Sequence, residues 1–135
     1  MGKRLTIVLH GKSATQTPVR EAVAAMREMG HDVAVRVTWE AGDAKRLTEE
    51  AIARGCDTVV AGGGDGTINE VVQGLTTVDA ADRPALGILP LGTANDFATS
   101  AGIPLEAADA LRLAIDSEPT PVDLGWLNDQ PFLNV

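Results

Sequence analysis

The segment Gly62-Gly63-Gly64-Asp65-Gly66-Thr67 decides how the rest of this sequence is interpreted. It follows an apolar run at residues 57–61 that is typical of a buried strand, and it precedes apolar residues at helical spacing. Glycine in four of the last five positions before Thr67 predicts positive φ angles and close approach of the backbone to a ligand. Exposed N–H groups at such a turn, together with the N-terminus of the next helix, predict a phosphate site.

The order of strand and helix in this segment recurs along the chain. Strands are expected at residues 5–9, 33–38, 57–61 and 85–89, and helices at 17–29, 43–54, 68–75, 96–101 and 105–115. Thr17 is expected to be the N-cap of the first helix, with Pro18 at its first position and Met26 and Met29 on its core face. Regular alternation predicts the α/β class, with a parallel sheet between two layers of helices.

The alternation stops near residue 115. Residues 119–127 and 131–135 are expected to be two strands joined by a turn at 128–129, with no helix between them. We therefore expect an α/β domain over residues 1–120 and, over 121–135, the beginning of a β-rich second domain that is truncated in this chain.

Charge and composition narrow the function classes. The chain has 19 acidic and 11 basic residues, a net charge of -8, which disfavours nucleic acid as a partner. Cys56 is the only cysteine, so no disulfide forms within the chain, as suits a reducing cytoplasm. No apolar run approaches the roughly 20 residues of a transmembrane helix. The expected location is cytoplasmic.

Two common nucleotide motifs do not fit the glycine segment. It lacks the glycine-lysine-serine or glycine-lysine-threonine ending of a Walker loop, and a dinucleotide fingerprint would need glycine at Thr67 or Asn69. A ligand-free explanation stays open, because Thr67 and Glu70 have the spacing of a helix capping box. It leaves Asp65 unexplained, since a carboxylate repels phosphate unless a cation or a transferable proton is present.

A second loop, Pro90-Leu91-Gly92-Thr93-Ala94-Asn95-Asp96-Phe97, also follows a strand and opens a helix, with Thr93 or Asn95 as a candidate N-cap. At these two loops the sequence resembles the diacylglycerol kinase catalytic family, in its branch of YegS-like bacterial lipid kinases. The resemblance is carried by GGDGTINE at 63–70 and PLGTANDFA at 90–98. NAD kinases share the first string, whereas the second is typical of lipid and sphingosine kinases.

The resemblance implies the ATP-binding domain of a lipid kinase, with the fold of the N-terminal domain of NAD kinases and diacylglycerol kinases. The substrate would be a lipid hydroxyl of the diacylglycerol, phosphatidylglycerol or sphingoid type, met at the membrane surface. ATP and Mg²⁺ would be the cofactors. Most of the magnesium site and a catalytic base would lie in a β-sandwich domain, so no metal ligand is assigned here and the fragment alone is expected to be inactive.

Matching the two strings residue by residue, and the end of the second strand for Thr38, gives the implied site. The nucleotide contacts are Thr38, Gly63, Gly64, Asp65, Gly66, Thr67, Ile68, Asn69 and Thr93. Asp65 and Asp96 are the implied catalytic residues, Asp65 as a base or as part of a network around Mg²⁺ that Asp96 and Lys12 could join. Where many family members carry asparagine-proline and serine-glycine in the first loop, this chain reads His10-Gly11-Lys12-Ser13-Ala14.

Other interpretations stay open beside this one. They are a NAD kinase-like enzyme, which the second string disfavours, a nucleotide-binding module without catalysis, and a flavodoxin-like structural domain that binds no nucleotide. A homodimer is also left open. Trp39 and Trp126 are expected to pack rather than to bind a ligand, Cys56 to be inert, and both histidines to have structural or surface roles.

Overall fold

The computed structural model of the chain describes residues 2–120, 124–127 and 130–133. Within these ranges the strands are β1 (Arg4–Leu9), β2 (Asp32–Val37), β3 (Thr58–Gly63), β4 (Ala85–Pro90), β5 (Leu124–Leu127) and β6 (Gln130–Leu133). The helices are α1 (Thr17–Glu28), α2 (Asp43–Ala53), α3 (Asp65–Leu75), α4 (Asp96–Ala101) and α5 (Ala107–Asp116). Each predicted strand and helix of the first 116 residues is present, with ends that differ by at most three residues.

Strands β1 to β4 form one parallel sheet in the order β2-β1-β3-β4. In the register, Ile7 of β1 lies beside Val35 of β2 and Val60 of β3. The connection from β1 to β2 therefore runs toward one edge of the sheet, and the connection from β3 to β4 runs toward the other edge. The loops that leave β1 and β3 diverge at the carboxyl edge of the sheet, where open α/β sheets bind their ligands.

Side chains of the central strands alternate between two cores, one on each face of the sheet. Leu5, Ile7 and Leu9 pack with α1 and α5, whereas Val8 packs with α2 and α3 on the other face. Both faces of a parallel sheet must be covered, because its strands are apolar on both sides. The predicted α/β class, a parallel sheet between helices, is confirmed.

Strands β5 and β6 pair in antiparallel fashion and form a separate two-stranded sheet. Two strands were predicted in this part of the chain, but the predicted turn at 128–129 lies outside the described residues. Residues 121–123 lie outside them as well. The division of the chain at residue 120 into two domains stays a prediction.

The start and end of α1 differ from the prediction. The N-cap is Gln16 and not Thr17, because the backbone at Gln16 is still extended while its carbonyl oxygen already accepts the Arg20 N–H at 3.2 Å. Pro18 still lies in the first turn, where its missing N–H costs no helical hydrogen bond. Met26 is buried as expected, but Met29 follows the last helical turn and is 61% exposed.

The described helices are all short. The longest described helix, α1, has 12 residues, whereas crossing a bilayer takes about 20. Within the described ranges, no helix has the length and the apolar character that a membrane span requires.

Candidate functional site

The loops that follow β1, β3 and β4 are joined by main-chain hydrogen bonds at the carboxyl edge of the sheet. The His10 N–H donates to the Gly62 carbonyl oxygen at 2.8 Å, and the Leu91 N–H donates to the Gly63 carbonyl oxygen at 3.0 Å. These bonds continue the strand pairing by one residue beyond each strand. The three loops therefore leave the sheet side by side.

The two glycine-containing loops touch at Gly64 and Gly92. A Cβ atom on Gly64 would lie 3.1 Å from the Cα atom of Gly92, and a Cβ atom on Gly92 would overlap the backbone of Gly64. Gly63 is restricted in a similar way, because a Cβ atom there would lie 2.5 Å from Oγ1 of Thr67. A side chain at Gly64 or Gly92 would push the two loops apart, and one at Gly63 would displace Thr67.

Close packing, and not unusual dihedral angles, explains Gly62, Gly63 and Gly64 of the glycine cluster, whereas Gly66 has open space around it. The described glycines with positive φ are Gly30, Gly42, Gly55 and Gly102, and none of them belongs to the cluster. The predicted positive φ angles were therefore wrong. Strand β3 continues to Gly63 and helix α3 begins at Asp65, so the turn consists of Gly64 alone, with φ -97° and ψ -165°.

Helix α3 presents unpaired main-chain donors at its N-terminus. The N–H groups of Asp65, Gly66 and Thr67 have no hydrogen-bond acceptor among the described residues, whereas the Ile68 N–H donates to the Gly64 carbonyl oxygen at 3.1 Å. A Cβ atom on Gly66 would meet nothing within 4 Å, so this turn faces open space. Free N–H groups and the positive end of the helix dipole together favour an anion here.

The capping box predicted for Thr67 and Glu70 was wrong. Thr67 is the third residue of α3 and is buried, and the N-cap is Gly64, which has no side chain. The Glu70 side chain instead accepts the Gly42 N–H through Oε1 at 2.9 Å. Gly42 is the N-cap of α2 and has φ +92°, a region that favours glycine. Glu70 therefore ties α3 to the loop between β2 and α2.

Asp65 joins the two glycine-containing loops. Its carboxylate accepts the Asp96 N–H at 3.1 Å through Oδ2 and the Phe97 N–H at 3.2 Å through Oδ1. These are the first two N–H groups of α4, which the helix cannot satisfy itself. The N-cap residue Asn95, with φ +54°, uses its carboxamide on both the N–H and the carbonyl oxygen of Gly92. Asp65 thus caps α4 from the neighbouring loop.

An open cleft of about 400 Å³ lies between α3 and the loop that follows β2. Its lining residues are His10, Thr38, Trp39, Glu40, Ala41, Ala44, Gly64, Gly66, Thr67 and Glu70. Four of these, Thr38, Gly64, Gly66 and Thr67, were predicted nucleotide contacts. The others were missed, although the position of the β2–α2 loop beside the strand-order reversal could have indicated them.

The remaining predicted residues lie at the edge of the cleft or behind it. Ile68 is 2% exposed and packs in the core shared with α2, and Gly63 is buried at the end of β3. Asn69 is half-buried on α3, while Thr93 and Asp96 are exposed on the second loop and at the start of α4. Lys12 is exposed in the loop after β1. The structure therefore gathers the predicted set at one edge of the sheet but turns the Ile68 side chain away from it.

The β2–α2 loop is held by acidic side chains. Asp43 accepts the Trp39 N–H at 2.8 Å and the Glu40 N–H at 3.0 Å through Oδ2. These two main-chain donors, that of Glu40 above all, hold the pKa of Asp43 below its usual value, and Arg46 adds to the effect. With Glu70 bound to Gly42, the loop is fixed at both ends.

A metal centre is not formed by the described residues alone. They contain no group of three histidine, cysteine, aspartate or glutamate side chains placed to hold a metal ion. Both oxygens of Asp65 already accept a main-chain N–H. The main-chain donors of α3 suit an anion. For a cation, the described residues near α3 provide only isolated carboxylates as ligands.

Comparison with known proteins places this site in a family. Residues 4–127 match the family model of the diacylglycerol kinase catalytic domain. The chain belongs to that family. The chain is 55% identical over 129 residues to the probable YegS-like lipid kinase of Chromohalobacter salexigens and 56% identical over 132 residues to that of Pseudomonas aeruginosa. The matches cover 96% and 98% of this chain but 42% and 43% of the relatives, so the chain spans less than half of their length.

Solved structures of this diacylglycerol kinase family share the fold. The crystal structure of a diacylglycerol kinase from Bacillus anthracis strain Sterne superposes with a TM-score of 0.78 at 33% identity, over 98% of this chain and 46% of that chain. A protein from the same strain, provisionally described as a diacylglycerol kinase, reaches a TM-score of 0.82 at 34% identity, over 98% of this chain and 47% of its own. The family resemblance predicted from the two loops is confirmed.

Proposed function

We propose that this chain is the nucleotide-binding part of an ATP-dependent kinase that transfers the γ-phosphate of ATP to a lipid hydroxyl. The observation that carries the proposal is the trio of N–H groups at Asp65, Gly66 and Thr67, which have no acceptor among the described residues. Gly66 and Thr67 line a 400 Å³ cleft at the reversal of strand order. Membership of the diacylglycerol kinase catalytic family and relatives named as lipid kinases support it.

In this proposal the triphosphate lies on the N-terminus of α3. Its negative charge is met by main-chain donors and the helix dipole, which need no basic side chain. Thr38 and Thr67 line the cleft and offer hydroxyl groups, and Thr93 offers a third from the adjacent loop. Gly63 and Ile68 serve by shaping the turn, because the Ile68 N–H is already used inside α3.

Mg²⁺ belongs to the proposal as the ion that neutralises and aligns the phosphates. Of this chain's residues, Asp65 and Asp96 would face it, with Lys12 as a nearby cation. Each carboxylate oxygen has a second lone pair, so the two N–H bonds to Asp65 leave room for a water molecule or the ion. We therefore favour a role for Asp65 in the magnesium network over a role as base.

The acceptor is proposed to be a lipid of the diacylglycerol, phosphatidylglycerol or sphingoid type, reached at the membrane surface. A cytoplasmic location and a homodimer stay predictions. The string at 90–98, which is typical of lipid and sphingosine kinases, favours a lipid kinase over a NAD kinase-like enzyme. Its loop contacts the first glycine-containing loop and so forms part of the same site.

Two measurements test this function. Calorimetric titration of the chain with ATP, with and without Mg²⁺, should show binding that inorganic tripolyphosphate partly reproduces. A protein extended to the length of the lipid kinase relatives should transfer labelled phosphate from ATP to diacylglycerol, phosphatidylglycerol or sphingosine. The Asp65→Asn substitution should abolish this transfer. Transfer to NAD instead, or no heat with ATP on folded protein, would refute the assignment.

A further inference from the structure

Trp39 is a large apolar residue that lies exposed to solvent, although the hydrophobic effect favours its burial. Its side chain is 94% exposed, the highest value among the large apolar residues of the described part, so the expected packing role was wrong. Isolated exposed apolar residues are common. This one, however, lines the cleft beside Thr38, and apart from His10 it is the aromatic residue of the cleft wall.

The backbone that carries Trp39 is fixed although its side chain is free. The Thr38 N–H donates to the Leu9 carbonyl oxygen at 2.9 Å, and Asp43 binds the N–H groups of both Trp39 and Glu40. A held backbone and a solvent-exposed indole form a preorganised contact surface. Binding a ligand there costs little ordering of the loop.

The charges around Trp39 indicate which part of a nucleotide it would meet. Glu40, next to Trp39 in the chain, and Glu70 also line the cleft, and Glu70 is hydrogen-bonded through Gly42 to the loop that carries Trp39. Acidic side chains repel a phosphate chain, whereas the free N–H groups of Gly66 and its neighbours attract it. The phosphates therefore belong at the N-terminus of α3, and an uncharged group belongs beside Trp39.

We propose that Trp39 stacks on the base of the bound nucleotide. This contact would supply much of the binding affinity that does not come from the phosphates. This inference rests on the proposed function. An indole offers a flat apolar face and a single N–H donor, which suits a nucleobase and not a phosphate. Stacking is tolerant of base identity, so Trp39 contributes affinity for purine nucleotides rather than a choice between ATP and GTP.

The test compares ligands with and without a base. Wild-type chain, Trp39→Ala, Trp39→Phe and Leu105→Ala are titrated calorimetrically with ATP, GTP and inorganic tripolyphosphate. Leu105 is the matched control, because it is 63% exposed and does not line the cleft. Trp39→Ala should weaken ATP and GTP by about tenfold and leave tripolyphosphate unchanged, while Trp39→Phe should lose much less affinity and Leu105→Ala none.

Several outcomes would overturn the inference. Unchanged ATP affinity in Trp39→Ala would refute base stacking. If the same variant also lost binding to phosphatidylglycerol vesicles, Trp39 would instead be a membrane contact. Equal weakening of ATP and tripolyphosphate would mean that the substitution disturbs the loop. If the wild-type chain bound neither ATP nor tripolyphosphate, the proposed nucleotide site itself would be refuted. If wild type bound ATP and Trp39→Ala bound it equally well, only the role of Trp39 would be refuted.

Discussion

Gly64 and Gly92 meet backbone to backbone, with the Cα atom of Gly92 only 3.1 Å from the position that a Cβ atom on Gly64 would occupy. This contact brings the ends of β3 and β4 together at the carboxyl edge of the sheet. It makes the two motifs one site, and it explains why Gly64 and Gly92 are glycines.

Gly92→Ala should therefore destabilise the chain, because the added methyl group overlaps the backbone of Gly64 and no flexible side chain can yield. The expected loss is about 1–3 kcal/mol of unfolding free energy, measured by urea denaturation. Gly66→Ala is the control, since its methyl group meets nothing within 4 Å and removes glycine from a helix. Equal stability of the two variants would contradict the close approach.

Asp65→Asn should loosen α4. Only one carboxamide oxygen can accept a hydrogen bond, so one of the Asp96 and Phe97 N–H groups would face an NH₂ group. Loss of one such bond costs about 1 kcal/mol, which should speed hydrogen exchange of these two amides roughly fivefold. In Asp96→Asn, whose exposed side chain leaves the Asp65 bonds intact, their exchange should be unchanged. Equal exchange in both variants would rule out the cap.

The stabilisation of the β2–α2 loop by Asp43 should depend on pH. Since the pKa of this carboxyl is lowered in the folded chain, its contribution is complete above the ordinary value of 3.8 and disappears as the pH falls through the lower folded value. The melting temperature of wild type should exceed that of Asp43→Asn at pH 6, and the gap should close at strongly acidic pH. A gap that persists there would point to a cause other than the carboxylate charge.

Cys56 should react slowly with alkylating reagents in the folded chain. Partial burial of its thiol raises the pKa, which reduces the reactive thiolate at neutral pH. Iodoacetamide labelling followed by mass spectrometry should be slow at pH 7 and much faster after unfolding in urea. Labelling at the same rate in both states would show an exposed and unperturbed thiol.

The sequence was sufficient for the fold because its periodic signals are local. Leu5, Ile7 and Leu9 alternate with side chains of the opposite face, and the helices carry apolar residues at spacings of three and four. The family resemblance then identified Thr38, Gly64, Gly66 and Thr67 as nucleotide contacts, and all four line one cleft. Element ends were less certain, as at Gln16, because a helix start depends on the dihedral angles of a single residue.

What the sequence did not reveal depends on contacts between distant residues. Glu70 looked like a partner of Thr67 within one helix, but it binds Gly42, 28 residues away. Asn95, one of the two candidates, is the N-cap of α4, but its side chain binds Gly92, and Asp65, 31 residues before Asp96, accepts the first N–H group of the helix. The exposure of Trp39 likewise depends on how the β2–α2 loop lies against α3, which no local pattern encodes.

The central claim is that main-chain donors at the start of α3 hold the phosphates of a nucleotide. Amide chemical shifts, recorded by NMR while ATP and Mg²⁺ are added to the labelled chain, test this most directly. The largest shifts should fall on the amides of Asp65, Gly66 and Thr67, and tripolyphosphate should shift the same amides. Saturable binding of ATP that leaves these three amides unmoved would contradict this claim.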